Sequence, residues 1–362
     1  MASEPGASLV SLSVLSAFSY DVLVAAGLEP GFAQRVSHSL TTADARSLSS
    51  HGVVRLLPVY TRRLARGATN PRPTIRTIQE QRSTALLDGD GAPGQVAGHA
   101  AMDLAIEKAR TSGIGAVGVR NSSHFGIGAL YVERATDVDM VGLALTNAPS
   151  NMPPAGGRKP YFGTNPLAIA IPGGQEHPLV LDMSTSVVAR GRIVMAEKEG
   201  RSIPPGWAVD ADGHPTEDAA AALLGAVLPM AGYKGAGLAL MIDVFCGVLT
   251  GAGFGGHIVD LYDDGPDHQD VGHFFIAIDV EAFMPVDAFK SRLEQFVTEV
   301  RAQPRLPGVE QILLPGELEF RSASKADSEG VRISESGWRE LEELARQWNV
   351  PGLEARMVVN RA

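Results

Sequence analysis

Two histidine clusters carry most of the chemistry this sequence could do. The first is Ser50-His51-Gly52, with Arg55 four residues after the histidine. On a helix those two positions share a face. A guanidinium fork clamps a carboxylate, and an imidazole beside it can move a proton near neutral pH. The same letters also fit a surface histidine and a solvated arginine. The second cluster is Asn121-Ser122-Ser123-His124-Phe125-Gly126-Ile127-Gly128, between the apolar run Ala116-Val117-Gly118-Val119 and a helical pattern beginning near Ala129. That order puts His124 at the tip of a strand-to-helix turn. Backbone can approach a ligand there, and helix N–H groups point at it.

Two further groups are weaker on their own. Gly163-Thr164-Asn165-Pro166 precedes an apolar strand, and Asp182-Met183-Ser184-Thr185-Ser186 follows the next one. Strand-end Asp and Ser side chains can hydrogen-bond a ribose or a nicotinamide amide, or simply cap the following helix. Tyr233-Lys234-Gly235 places a lysine at a helix start, where it holds a phosphate or carboxylate or else stays solvated. Gly113-Ile114-Gly115-Ala116-Val117-Gly118 matches the dinucleotide fingerprint letter for letter. That fingerprint works only after a strand and at a helix start. Here the order is helix then strand, so the glycines read as a helix stop and a Rossmann domain is not supported.

The elements that must position these groups are legible in outline. Residues 10–66 read as helical, broken at Ser50-His51-Gly52. Short strands follow over 75–79 and 83–88, closed by the turn Asp88-Gly89-Asp90-Gly91, then an amphipathic helix over 99–110. Strands at 141–146, 167–171 and 179–183 are apolar throughout, which fits a sheet covered on both faces. A helix over 235–248 leads to a glycine-rich loop at 251–256, read as flexible. A strand at 274–278 and helices over 285–302 and 336–349 complete the chain, without internal repeats. The domains expected are a helical N-terminal lobe over 1–70, packed with C-terminal helices, an α/β domain over 71–270, and a C-terminal α/β segment over 271–362 completing the fold.

Composition narrows the class. A net charge of −10 argues against nucleic acid or an anionic membrane as partner, while leaving room for a small anionic substrate. The single Cys246 excludes an intrachain disulfide and a cysteine-based metal site, and reads as a small core residue. No apolar run approaches a membrane span, and no Lys or Arg precedes Arg35, so the expectation is a cytoplasmic protein.

Taken in order, Ser50-His51-Gly52-Val53-Val54-Arg55-Leu56, Asp88–Gly91, Asn121–Gly126, Tyr161–Pro166, Ile203–Trp207 and Leu314-Pro315-Gly316-Glu317 resemble the malate/L-lactate dehydrogenase family that lies outside the Rossmann class. The resemblance runs from about Ser13 to Val350. It implies an α/β fold of the sulfolactate dehydrogenase type: a non-Rossmann, NAD(P)-binding mixed sheet with helices, plus a small helical lobe. It further implies a homodimer or higher homo-oligomer using NAD or NADP on small 2-hydroxy or 2-oxo acids of the malate, lactate, sulfolactate or ureidoglycolate class. By similarity His124 is the proton acceptor or lies beside the cofactor, Ser50 and His51 form a proton relay, and Arg55 holds the substrate carboxylate, with Thr164 nearby. Phe125, Gly126, Asp182, Met183, Ser184, Tyr233, Lys234, Leu314, Pro315 and Gly316 would contact the dinucleotide. No metal is expected.

The chemistry of the residues agrees. Oxidising a 2-hydroxy acid needs a base for the hydroxyl proton while the C2 hydride leaves, and a neutral histidine beside a carboxylate-binding arginine supplies it. The order of small and aromatic residues over Gly126-Ile127-Gly128-Ala129-Leu130-Tyr131 differs slightly from the family pattern, and two single positions depart from it. Ser49 stands where an acidic residue is common, and Arg192 follows Ala189-Arg190-Gly191 where some imino acid reductases complete their relay with a carboxylate. The alternative, an NADPH-dependent reductase of cyclic imino acids, is weakened accordingly. A serine hydrolase built on Ser50 and His51 is disfavoured, since no Gly-x-Ser-x-Gly elbow occurs. A binding protein that has lost catalysis is disfavoured by the joint presence of Ser50, His51, Arg55 and His124.

Overall fold

Caps, glycine stops and apolar spacing divide the chain into short elements that gather into two compact units. The computed structural model describes residues 8–174 and 177–359. One unit takes in the described residues up to Pro73, Asp264–Asp267 and those from Gly316 onward; the other holds 74–263 and 268–315.

The first unit is mainly helical. Ser11 caps the helix Leu12–Ala25 by accepting from the Val14 N–H, and Glu29 with Pro30 opens Pro30–Ala45. A 3₁₀ turn over Ser49–His51 then leads into Val53–Ala65. Helices Glu317–Glu329, Glu335–Trp348 and Leu353–Val359 follow, and Ser8–Val10 pairs antiparallel with Val331–Ile333. Leu15, Phe18, Leu23, Leu40, Leu56, Leu57 and Leu341 are buried here. The helix Glu317–Glu329 has no periodic signal because Ala326 is its one buried residue.

The second unit is built on a seven-stranded mixed sheet. Its order is Arg76–Glu80, Thr84–Asp88, Ile114–Ser122, Val271–Asp279, Met140–Thr146, Leu167–Ile171, Leu179–Met183. Only the pairing of Thr84–Asp88 with Ile114–Ser122 is parallel. Helices cover both faces. Phe275 points to one face and meets Tyr131 of the helix Ala129–Thr136, ring centroids 5.4 Å apart, whereas Phe274 points to the other and meets Phe245 at 5.3 Å. The strand Met140–Thr146 alternates buried and half-buried residues with none exposed, so its apolar run does mark a covered strand.

The glycines of the apparent dinucleotide fingerprint serve packing instead. Gly113 ends the helix Gly94–Ser112 in the left-handed region at φ 77°. A Cβ on Gly115 would stand 2.0 Å from the Ala105 carbonyl oxygen, so only glycine lets strand and helix approach this closely. The helix from Tyr233 changes at Asp243 into a π-type turn over Val244–Val248, where Cys246 is buried. Burial pushes its thiol well above the usual range, which fits the core role expected for it. The glycine loop after it is not loose: Asp243 accepts from the Gly255 N–H at 2.9 Å, and Asn147 Nδ2 donates to the Gly253 carbonyl at 2.8 Å.

Candidate active site

His124 sits where the strand Ile114–Ser122 gives way to the helix Ala129–Thr136. Asn121 turns the chain at φ 52°, its side-chain amide donating to Asp88 Oδ1 at 3.0 Å and its N–H to Asp270 Oδ1 at 3.1 Å. The Asp88–Gly91 turn closes on the same point, for Gly89 and Gly91 donate to the carbonyls of Arg120 and Asn121, both at 2.9 Å. The His124 N–H donates to Gln269 Oε1 at 3.0 Å, while Gln269 Nε2 donates to the Val259 carbonyl at 3.2 Å. Half-buried His124 is thus held by its backbone from a residue 145 positions away.

Beneath it lies an aromatic stack. Phe125 packs on Tyr131 (centroids 4.9 Å apart) and on His273 (5.0 Å, rings 10° from parallel), and the Tyr131 hydroxyl donates to the Phe125 carbonyl. His273 is fully buried between Ser122 Oγ, 2.8 Å from Nε2, and Thr146 Oγ1, 2.7 Å from Nδ1. The Thr146 hydroxyl lies within 3.0 Å of the Asn147 carbonyl and donates its single proton there. Both ring nitrogens of His273 thus have a hydroxyl partner. Burial pushes the His273 pKa from 6.5 down to about 3, so the ring stays neutral.

A stability prediction follows for this unit. Between about 3 and 6.5 the unfolded chain protonates this ring and the folded chain does not, so acid favours unfolding. Acidification below 6.5 is expected to cost up to about 1.4 kcal/mol per pH unit from His273 alone. Urea midpoints at pH 7 and pH 5 check it: His273→Gln should show a flatter slope than the parent, and parallel slopes would contradict it.

The strand ends assemble beside the His124 turn. Asp182 Oδ2 accepts from the Ala129 N–H at 2.9 Å, so it caps the helix after His124 rather than a helix after its own strand. The Thr164 carbonyl accepts from both the N–H and the hydroxyl of Thr185 at 2.9 Å. Thr185 in turn accepts from the Met230 N–H at 3.0 Å, and Met230 from the Gly235 N–H at 3.0 Å. This bond chain places Thr164, Met183, Ser184 and the Tyr233-Lys234 helix start in one neighbourhood. Ser184 Oγ lies 3.0 Å from Ser186 Oγ. Pro315, next to Leu314, accepts from the Val180 N–H at 3.1 Å along the edge strand.

Ser50, His51, Arg55 and Gly316 belong to the first unit. Ser50 Oγ lies 2.9 Å from His51 Nδ1. The continuous helix that would put His51 and Arg55 on one face does not form, because Gly52 is extended (φ −87°, ψ −177°) between the 3₁₀ turn and the next helix. Arg55 nevertheless acts on His51: burial, then the guanidinium charge, push the imidazole down to about 4. His51 is therefore neutral at physiological pH. Among the described residues no group of three or more His, Cys, Asp or Glu could hold a metal ion, and no helix is long and apolar enough to cross a membrane.

Residues 10–342 match the family described as malate/L-lactate dehydrogenase. A malate dehydrogenase of Pyrococcus abyssi is 38% identical over 348 residues, covering 94% of this chain and 95% of its own length. An L-sulfolactate dehydrogenase of Methanocaldococcus jannaschii is 39% identical over 328 residues, covering 90% and 93%. A ureidoglycolate dehydrogenase (NAD(+)) of Escherichia coli K12 is 38% identical over 311 residues, covering 86% and 88%. A solved sulfolactate dehydrogenase from Methanocaldococcus jannaschii superposes with a TM-score of 0.87 at 37% identity, covering 96% of this chain and 99% of that one. A delta1-piperideine-2-carboxylate reductase from Pseudomonas syringae does so at 0.83 and 30%, covering 93% and 100%. The chain belongs to the malate/L-lactate dehydrogenase family, and it is an oxidoreductase with that family's mixed α/β fold.

Gln269, His273 and Asp182's capping role were not foreseen. Gln269 and His273 act across 145 and 151 residues of sequence, where no spacing rule reaches.

Proposed function

We propose that the protein transfers hydride between NAD or NADP and a small 2-hydroxy or 2-oxo acid of the malate, lactate, sulfolactate or ureidoglycolate class, as a homo-oligomer in the cytoplasm. The observation that carries this reading is a neutral, partly buried imidazole under the charge of Arg55, paired through Nδ1 with Ser50. The names of its relatives point the same way.

The dinucleotide fits the donor set. The helix Tyr233–Asp243 starts after Gly232 with Tyr233 and Lys234 exposed, and a positive helix end with an ammonium suits a diphosphate. When bound, NAD(P) supplies the hydride acceptor or donor. Tyr233, Lys234, Leu314 and Pro315, with Asp182, Met183 and Ser184 at their strand end, would hold it. His124, Phe125 and Gly126 would line its nicotinamide end, on the aromatic stack beneath them.

The remaining work falls to the first unit's cluster. Arg55 grips the substrate carboxylate by its fork and fixes C2. With His51 Nδ1–H donating to Ser50, the Nε2 lone pair takes the hydroxyl proton during oxidation. In reduction the imidazolium returns it. A bound carboxylate offsets the Arg55 charge that depresses His51, which brings its pKa up toward the working range.

The test is an assay of reduced-nicotinamide oxidation against oxaloacetate, pyruvate, 3-sulfopyruvate and a cyclic imine such as piperideine-2-carboxylate. A 2-oxo acid turned over well above the imine supports the reading. Preference for the imine would favour the second reading, which the likeness to the piperideine-2-carboxylate reductase supports. Exposed Arg192 offers no carboxyl proton for an imine nitrogen.

Homo-oligomerisation is supported by the helix carrying Lys234. The outward side of this helix and of the π-type turn after it bears Leu238, Leu240, Met241, Val244, Val248 and then Leu249, with Met241 52%, Val248 58% and Leu249 61% exposed and no charge among them. A solvated helix face is ordinarily polar. Met241→Glu is expected to convert an oligomer to monomer in light scattering, and an unchanged mass would exclude this face.

A further inference from the structure

The cluster Ser50-His51-Arg55 is split between a 3₁₀ turn and a helix, and something must hold the two in register. Gly52, the residue between them, offers no side chain to cap the helix Val53–Ala65. The cap comes instead from Asp44, near the end of the preceding helix: its Oδ2 accepts from the Val53 N–H at 2.8 Å. Its other oxygen occupies the space over Gly52, where a Cβ would stand 1.7 Å from Oδ1 and 2.4 Å from Cγ. Gly52 has an ordinary φ of −87°, so glycine is required here by the carboxyl and not by the backbone.

The intervening loop is fixed by backbone bonds. Ser47, at φ 61°, donates to the Asp44 carbonyl at 3.0 Å, Leu48 to Ala43 at 2.8 Å, and His51 to Leu48 at 2.8 Å. Asp44 is 9% exposed. Its burial lifts its pKa from 3.8 to about 7, against the pull of the Val53 bond, so it sits there at a cost that the fold bears.

We propose that Asp44 is a positioning residue for the reaction: through the Val53 N–H and its seat over Gly52, it fixes Ser50 and His51 against the first turn of the helix that carries Arg55. Asp44 touches neither substrate nor cofactor in this role. The proposal rests on the reading that Ser50, His51 and Arg55 do the chemistry.

The test is a double-mutant cycle on Asp44→Ala and Gly52→Ala, with Asp44→Asn as the conservative variant. Asp44→Ala is expected to lower kcat/KM by about tenfold or more, as loss of a helix cap would, and to shift the kinetic pKa assigned to His51. Asp44→Asn keeps a carbonyl oxygen for Val53 and should stay within about threefold of the parent. Gly52→Ala should be as harmful as Asp44→Ala alone, yet add less than about threefold in the Asp44→Ala background, where the clashing atoms are gone. Hydrogen exchange of the Val53 amide gives a readout independent of turnover and should rise in Asp44→Ala but not in Asp44→Asn. Equal Gly52→Ala effects in both backgrounds, or unchanged kcat, KM and pH profile in Asp44→Ala, overturn the proposal. If His51→Gln and Arg55→Ala are themselves fully active, the functional reading fails instead. If Asp44→Ala does not fold, Asp44→Asn and Gly52→Ala still decide it: a fully active Gly52→Ala would sink it.

Discussion

Arg55→Ala is expected to raise KM for the 2-oxo acid by about two orders of magnitude while changing kcat far less. Truncating one partner of a desolvated, hydrogen-bonded charge pair costs about 2–5 kcal/mol, and each 1.4 kcal/mol is tenfold in affinity. Arg55 is only half-buried, which places the effect toward the lower end of that range. Arg55→Lys keeps the charge but not the planar fork and should fall between the two. A second consequence separates this role from a structural one. The Arg55 charge helps hold His51 down near 4, so its removal should let the His51 kinetic pKa rise in the free enzyme. Steady-state kinetics from about pH 3.5 to 9, which spans a parental limb near 4, check both. An Arg55→Ala protein with parental KM would remove Arg55 from the site.

His51→Gln is the other large effect. If its Nε2 carries the proton, kcat should fall by about 10²- to 10⁴-fold with KM nearly unchanged, the usual worth of a positioned general base. With the 2-hydroxy acid as substrate, the acidic limb of the kcat/KM profile should disappear with it. His124→Ala should fail differently. Its backbone is held by Gln269 and its turn by Asp270 and the Phe125–His273 stack, none of which the substitution touches. The turn should persist, and the loss should appear as weaker nicotinamide binding with the acidic limb retained. Kinetics of the two variants at saturating and limiting dinucleotide decide between them. Loss of the limb in His124→Ala, and its survival in His51→Gln, would exchange their roles.

Much of this arrangement is readable from local pattern because local rules govern it. Strands over 167–171 and 179–183 are punctuated by turn residues and form where the apolar runs lie. The His124 turn is legible because a strand, a small-residue stretch and a helix start follow one another within a few residues. The reversed order of elements around Gly113–Gly118 likewise tells a packing device from a phosphate loop. What escapes local pattern is what long-range packing decides. The helix Glu317–Glu329 has almost no buried stripe to announce it. The loop at 251–256 reads as flexible from its glycines, yet Asp243 and Asn147 pin it. Gly52 looks like a mere helix break until Asp44 is seen above it.

Hydride transfer itself is the claim on which the site's assignments depend. The direct measurement uses a reduced nicotinamide cofactor deuterated at one face of C4, incubated with the protein and the best 2-oxo acid from the screen, with mass spectrometry of the product. One deuterium at C2 of the 2-hydroxy acid, from one C4 face only, is the expected result, with far less product but the same label in His51→Gln. Product without deuterium from either face, or no oxidation of NADH or NADPH by any 2-oxo acid tested, would contradict it.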